Sequence, residues 1–243
     1  MIKGLYKSAS AMIPRIKKQE ISSNNIANAS TPGFKKDALF TKELSRAELK
    51  VMPKRNDWEQ PMVDNVYTSF VPGVFDKTGN PLDLAIDGDG FFLLQLDDGN
   101  RALTRNGAFS VNTSGQLEFP GGALVLGNGG PIEIGSGQVE ISATGIVSAN
   151  GSNVGQITPV TVANLDELEK LGNSMFLLPE GIETTDVDKS TIQQGYLEAS
   201  NVDIVREMIE MIISFRNFEA DSKSIQVQDN SLEQLFSRVG GRR

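Results

Sequence analysis

The sequence predicts a mixed α and β fold in which coiled-coil-like N- and C-terminal helices form a stem and the middle of the chain forms an all-β domain, sandwich- or barrel-like. Three observations predict it. Apolar residues near both ends repeat at alternating steps of three and four. Between them, short apolar pieces are set off by Gly, Asn and Ser at turn-like intervals. The charge also divides: residues 1–55 hold 12 Lys/Arg against 4 Asp/Glu, and the rest holds 11 against 27, within a net charge of −8. A basic arm on an acidic body can meet nucleic acid, anionic lipid or the acidic body of a neighbouring subunit. The arm has few aromatics to stack on bases and the body repels phosphate, which favours the neighbouring subunit over nucleic acid.

The C-terminal helix is read over residues 202–239. Met208, Met211, Phe215, Phe218, Ser222, Ile225, Asp229, Leu232, Phe236 and Val239 follow the three–four step without a miss. Ser200-Asn201-Val202-Asp203 suits a helix start, with a hydroxyl to accept from unpaired N–H groups and an acid to reach back. Gly240-Gly241 suits its end. Ser222 and Asp229 are polar seam positions, which set register rather than strength. The same pattern also fits an ordinary amphipathic helix that caps a core.

At the other end Ile2, Leu5, Ala9, Met12, Ile16, Gln19, Ser23 and Ile26 give a second such helix over residues 2–28. Pro14 lies inside it. Proline there removes a hydrogen bond and costs ~3 kcal/mol, so a kink is expected, or a helix that begins near it. Isolated helices of this kind are marginal in water. They must pair with each other or with copies on neighbouring chains. The seam residues Leu5, Met12, Ile16, Ile26, Met208, Met211, Phe215, Phe218, Ile225, Leu232 and Phe236 are therefore the expected assembly interface.

Pairing of the two ends makes everything between them an insertion. The divisions are residues 1–33 for the N-terminal axial helix, 34–79 for an extended connector, 80–185 for the central β domain, 186–199 for a return connector and 200–243 for the C-terminal axial helix. In the first connector Pro53, Pro61 and Pro72 break any period, and Trp58 is a packing anchor. In the β domain 91–96 reads as a strand, Asp98-Gly99-Asn100 as its turn and 101–105 as the return, with Asn106-Gly107 a strong hairpin signal. Residues 108–111 and 116–119 flank a turn at 112–115. Further strands fall at 123–126, 132–134, 139–141, 146–148 and 157–162. A turn or two of helix is expected at 165–171, and 181–194 reads as polar connector.

The chain contains neither Cys nor His, which excludes thiolate nucleophiles, disulfides, thiolate zinc sites and imidazole bases. Asp87-Gly88-Asp89-Gly90 fails as a calcium loop, because Phe91 and Phe92 occupy its fifth and sixth positions. Gly127-Asn128-Gly129-Gly130-Pro131 matches neither a dinucleotide nor a phosphate loop and fits a hairpin with positive φ angles. Asp97 and Asp98 sit in a turn, whereas a glycosidase sets two acids across a cleft. Glycan acceptor patterns at Asn28, Asn112 and Asn150 are of a kind that chance supplies. No enzyme activity, cofactor or metal is expected. No run reaches the roughly 20 apolar residues of a membrane span, and residues 1–18 lack the apolar block and cleavage site of a secretory signal.

Three stretches together resemble the bacterial flagellar rod and hook proteins. The first is Ser22-Ser23-Asn24-Asn25-Ile26-Ala27-Asn28-Ala29-Ser30-Thr31-Pro32-Gly33-Phe34-Lys35. The second is Asn80-Pro81-Leu82-Asp83-Leu84-Ala85-Ile86-Asp87-Gly88-Asp89-Gly90-Phe91-Phe92 with Thr104-Arg105-Asn106-Gly107-Ala108-Phe109. The third is Leu197-Glu198-Ala199-Ser200-Asn201-Val202-Asp203 with Glu207-Met208-Ile209, Arg216, Phe218-Glu219 and Lys223. Pro14 departs from the uninterrupted first helix of that family. The resemblance implies a structural, self-assembling axial subunit of the flagellar basal body, exported through the flagellar type III apparatus without signal cleavage. It implies terminal helices in an inner tube in the periplasm and the β domain outside it. It also implies partners among other rod and hook subunits and the surrounding ring proteins, with no nucleic acid and no membrane insertion. The single β segment is too short for the extra outer domain of a hook subunit, which favours a rod subunit, and the modest length and the Ala29-Ser30-Thr31-Pro32 spelling favour the proximal rod over the distal.

Two readings from other classes stand beside it. One is a fibre-like protein whose β domain binds carbohydrate while its helices trimerise. The other is a peptidoglycan hydrolase.

Overall fold

The computed structural model describes residues 2–43, 61–135, 137–179, 181–187 and 189–240. The fold is mixed, with a β-rich centre and two long helices, α1 (Ile2–Ala27) and α2 (Ile204–Gly240). It divides into two compact units, one of Met1–Ala27, Asp37–Ser69 and Asp203–Arg243, the other of Asn28–Lys36 and Phe70–Val202.

The first unit holds the helices and a strand pair. α1 runs through Pro14 as one helix rather than beginning near it, and the proline is buried. α2 starts at Ile204, later than the Ser200 box suggests. The Arg206 N–H donates to Asp203 Oδ1 at 3.1 Å and the Glu207 N–H to the Asp203 carbonyl at 2.9 Å. A carboxylate at this place also meets the positive end of the helix dipole. Ser200 Oγ accepts only the Val202 N–H, at 3.3 Å, ahead of the helix. The segment read as connector contains strand Asp37–Glu43, paired antiparallel with Pro61–Thr68. Asn25 binds the Asp37 backbone in both directions, at 2.9 and 3.0 Å, and so ties the end of α1 to that pair. Trp58 lies outside the described residues.

The second unit is built on an antiparallel eight-stranded sheet. Its order is Glu169–Gly172, Met175–Leu177, Arg101–Thr104, Phe92–Gln95, Leu124–Gly127, Leu117–Glu118, Ser110–Val111, with Gly130–Pro131 also on Leu124–Gly127. The turn at Asp98-Gly99-Asn100 joins Phe92–Gln95 to Arg101–Thr104 as expected. The turn at 112–115 joins Ser110–Val111 to Leu117–Glu118, with Gly115 at φ +81°. The apolar run of the central strand is continuous because both of its faces are covered. Phe92, Leu94, Ala102 and Val125 enter one core cluster, and Phe91, Leu103 and Phe176 enter a second. Each cluster has its own ring contacts: Phe92–Phe109 at 5.1 Å in the first, and Phe70, Phe91 and Phe176 at 5.2–6.0 Å in the second. Smaller pairings complete the unit: Val139–Ile141 with Ile146–Ala149 and Ser152–Gln156, Val160–Thr161 with Thr185–Asp186, Leu84–Asp87 with Thr191–Gln194, and Phe75–Lys77 with Tyr196–Glu198. The polar stretch read as return connector thus supplies strands, and the helix expected at 165–171 is a single 3-10 turn, Leu165–Glu167.

Asn106-Gly107 makes no hairpin, since Arg101–Thr104 and Ser110–Val111 are not partners. The Asn106 side chain accepts the Ala108 N–H at 3.0 Å, and the Leu84 N–H donates to the Gly107 carbonyl at 3.0 Å. A Cβ on Gly107 would stand 1.8 Å from the Leu84 oxygen. The glycine serves close backbone approach, not a primed turn.

Residues Asn28–Lys36 form a strap inserted into this unit. Gly33, at φ +65°, donates its N–H to the Glu198 carbonyl at 2.7 Å, and a Cβ there would lie 2.2 Å from the Asn106 nitrogen. Lys35 is 1 % exposed, Arg105 4 % and Glu198 0 %. The Glu198 carboxylate accepts from Lys35 Nζ on one oxygen and from Arg105 at 3.3 Å on the other, and the Gly73 N–H adds a third bond at 2.9 Å. Lys35 Nζ also donates to the Val71 carbonyl at 3.0 Å, and Arg105 to the carbonyls of Ile86 and Gly88 at 3.2 and 2.8 Å. Burial pushes the Lys35 ammonium below its ordinary value of 10.5; the Glu198 carboxylate opposes the fall and Arg105 adds to it.

Gly107→Ala is expected to destabilise this unit by about 1–3 kcal/mol or more, since backbone must move to admit one methyl. Urea unfolding measures it. The Lys35 shift carries a sign: with the folded pKa below the unfolded one, the unfolded chain binds more protons between the two, and stability rises with pH there. Wild type should therefore gain on Lys35→Met as pH rises toward the ordinary lysine value of 10.5. A difference that falls over that range would mean that pairing outweighs burial.

Candidate assembly surface

α1 and α2 pack against each other antiparallel, as three contacts fix: Arg15 with Asp221 at 3.1 Å, Lys18 with Glu210 at 3.1 Å, and Ser214 Oγ donating to the Arg15 carbonyl at 3.1 Å. The sequence favours this pairing, because α1 is basic, with five Lys/Arg and one Glu, and α2 is acidic, with four and six. The face of α2 turned to α1 is unusual in composition. Glu207 and Ser214 are buried, and Asp221 and Gln228 half-buried, one column of polar residues at seven-residue spacing. Beside it Met211, Phe218, Ile225 and Leu232 form a half-buried apolar column.

The structure thus divides the seam read from sequence. Met211, Phe218, Ile225 and Leu232 are half-buried beside the polar column. Met208, Phe215 and Phe236 are 49 %, 47 % and 74 % exposed. Of the polar seam positions, Ser222 is half-buried and Asp229 exposed. On α1, Met12 and Ile26 are half-buried and Ile16 is exposed, while Ser22 and Asn25 are buried. The Leu5 side chain lies outside the described residues. Around Met208 and Phe215 the exposed stripe continues through Val205, Ile209, Ile212 and Ile213. Positions 205, 208, 209, 212 and 213 share one helix face, the width that a globular protein turns toward a core.

Elsewhere among the described residues little invites chemistry. An open groove of about 620 Å³ in the β-rich unit is lined by Gln95, Arg101, Asn128, Thr158, Thr184 and Asp186 with a few aliphatic residues, and offers a sugar no aromatic face. Among the described residues no cluster of His, Cys, Asp or Glu could hold a metal ion, and no helix is long and apolar enough to cross a membrane. Sequence reasoning gave Lys35, Arg105 and Glu198 no role. Single charges 163 and 93 residues from their partner leave no period or spacing to detect; only their place in three separate motifs hints that they meet.

Three family models match the chain in order: "Flagella basal body rod protein" over residues 5–35, "Flagellar hook protein FlgE/F/G D1 domain" over 85–149, and "Flagellar basal body rod FlgEFG protein C-terminal" over 193–238. Among curated relatives, a flagellar basal-body rod protein FlgF of Caulobacter vibrioides is 34% identical, over 98% of this chain and 97% of its own. A flagellar basal-body rod protein FlgG of Bacillus subtilis is 33% identical over 98% and 99%, and a FlgF of Escherichia coli 32% over 93% and 94%. Likeness this even from end to end, carried by both helical ends and the β-rich centre alike, makes the chain a member of the flagellar basal-body rod protein family.

Proposed function

We propose that this chain is a structural subunit of the flagellar basal-body rod, assembling through its terminal segments, 1–33 and 200–243, into the hollow shaft that carries torque from motor to hook. The observation that supports this best is the outward stripe of α2, from Val205 to Phe215. An apolar helix face of that width needs another apolar surface, and α1 already occupies a different side. The occupants are the helices of neighbouring rod subunits, which make the terminal helices a coiled-coil-like stem only in company. A contact between unlike faces that does not close builds a filament. Inside the chain, polar partners set the register of α1 on α2; between chains, apolar area supplies the adhesion.

The partners are further copies and other basal-body components, with ring proteins around the shaft. The chain works in the periplasmic part of the rod, reached through the flagellar type III apparatus without a cleaved signal. A sequence without cysteine suits passage from a reducing to an oxidising compartment. The role involves no turnover.

Phe215→Asp and Ile212→Asp are expected to block assembly while leaving the β-rich unit folded. An unpaired buried carboxylate costs about 3–5 kcal/mol, a loss of roughly a hundredfold or more in association. Sedimentation reads the polymer and circular dichroism the β content; fibres formed by both variants at wild-type concentration would defeat the reading.

A further inference from the structure

The strap and the return strand meet at one carboxylate. Strap residues bind this unit at several points: the Gly33 N–H to the Glu198 carbonyl, Ser174 Oγ to the Pro32 carbonyl at 3.2 Å, Lys170 Nζ to the Lys35 carbonyl at 2.6 Å, and the Lys36 N–H to Asn201 Oδ1 at 2.8 Å. Most of these bonds lie at the margin. The Glu198 carboxylate with Lys35 and Arg105 is fully enclosed. Stability alone does not explain it, because a buried ion group replaced by well-packed apolar residues often leaves a protein as stable or more so. What charges add is steepness. Unlike charges drawn apart where water has not entered lose energy over the first few ångströms, whereas apolar surfaces slide with little change in covered area.

We propose that Glu198 is a mechanical clasp: by holding Lys35 and Arg105 together it makes strap Asn28–Lys36 and strand Tyr196–Glu198 yield as one, so that a pull on the chain where it leaves this unit meets the ion cluster before the sheet. The cluster has two cations to one carboxylate. Without Glu198, two buried cations face each other, and the strap is driven out. The clasp rests on the shaft reading only for its use, to keep a loaded subunit from peeling at its own chain exits.

The test is force spectroscopy on single full-length chains. The chain has no cysteine, so two introduced ones are the sole attachment points. One pair, at the exposed Ala27 and Ile204, loads the exits; a second, at the exposed Thr113 and Ser152, loads the sheet. Glu198→Gln is expected to open roughly tenfold or more faster than wild type at equal load through the first pair, and within about twofold of it through the second. Equal acceleration through both pairs would reduce Glu198 to one stabilising contact among many and overturn the proposal, as would no acceleration through the first. Lys35→Met, which keeps the Glu198–Arg105 pair, is read in the same way and covers the case in which Glu198→Gln does not fold. Because single chains are pulled, failure to polymerise would bear on the shaft reading and not on this one.

Discussion

The β-rich unit closes on the Glu198 carboxylate. Buried charge is costly unless its lone pairs and protons are used, and here the surroundings use many of them, though Arg105 Nε stays without a partner. Backbone carbonyls of Val71, Ile86 and Gly88 and the N–H of Gly73 take the bonds that the three side chains do not give one another. The neighbouring architecture follows from that need. Gly33 must lack a side chain to bring the strap against Asn106, and Tyr196–Glu198 must pair with Phe75–Lys77 to bring the carboxylate inward. The three motifs that mark the family in sequence are, in space, the three suppliers of this cluster.

α2 applies the opposite logic to its two sides. Toward α1 it presents Glu207, Ser214 and Asp221, groups that a helix normally gives to water. Away from α1 it presents Met208, Ile212 and Phe215, groups that a helix normally gives to a core. The column of Met211, Phe218, Ile225 and Leu232 lies between the two and is half-buried. A helix arranged in this way keeps polar groups on its inner side and leaves apolar area uncovered on its outer side. On the proposed reading, that imbalance is the driving force for joining a shaft.

Sequence patterns disclosed much of this and stopped where the physics becomes non-local. Both helices show in the three–four step, and the hairpins at 98–100 and 112–115 show in their turn residues, because each depends on neighbours within a few positions. Which side of α2 meets α1 did not show. The fold turns Ser214 and Asp221 toward α1, held by Arg15, Lys18 and their partners, and leaves Met208 and Phe215 of the apolar seam exposed. Asn106-Gly107 misled for a related reason: the glycine answers to Leu84, over twenty residues upstream, not to a turn. α2 starts at Ile204, after Asp203, because the Asp203 carboxylate rather than the Ser200 hydroxyl accepts from its first turn.

Lys35 and Glu198 are separated by 163 residues of chain. Pairing so remote is slow, because the intervening loop must be ordered before the contact rewards it. A ribosome makes the strap early and its keeper late. Until residue 198 has been synthesised, Lys35 has no carboxylate to enter with, and a lone ammonium stays in water. The strap is thereby kept out by its own chemistry, and it can seat fully only after its keeper has been made.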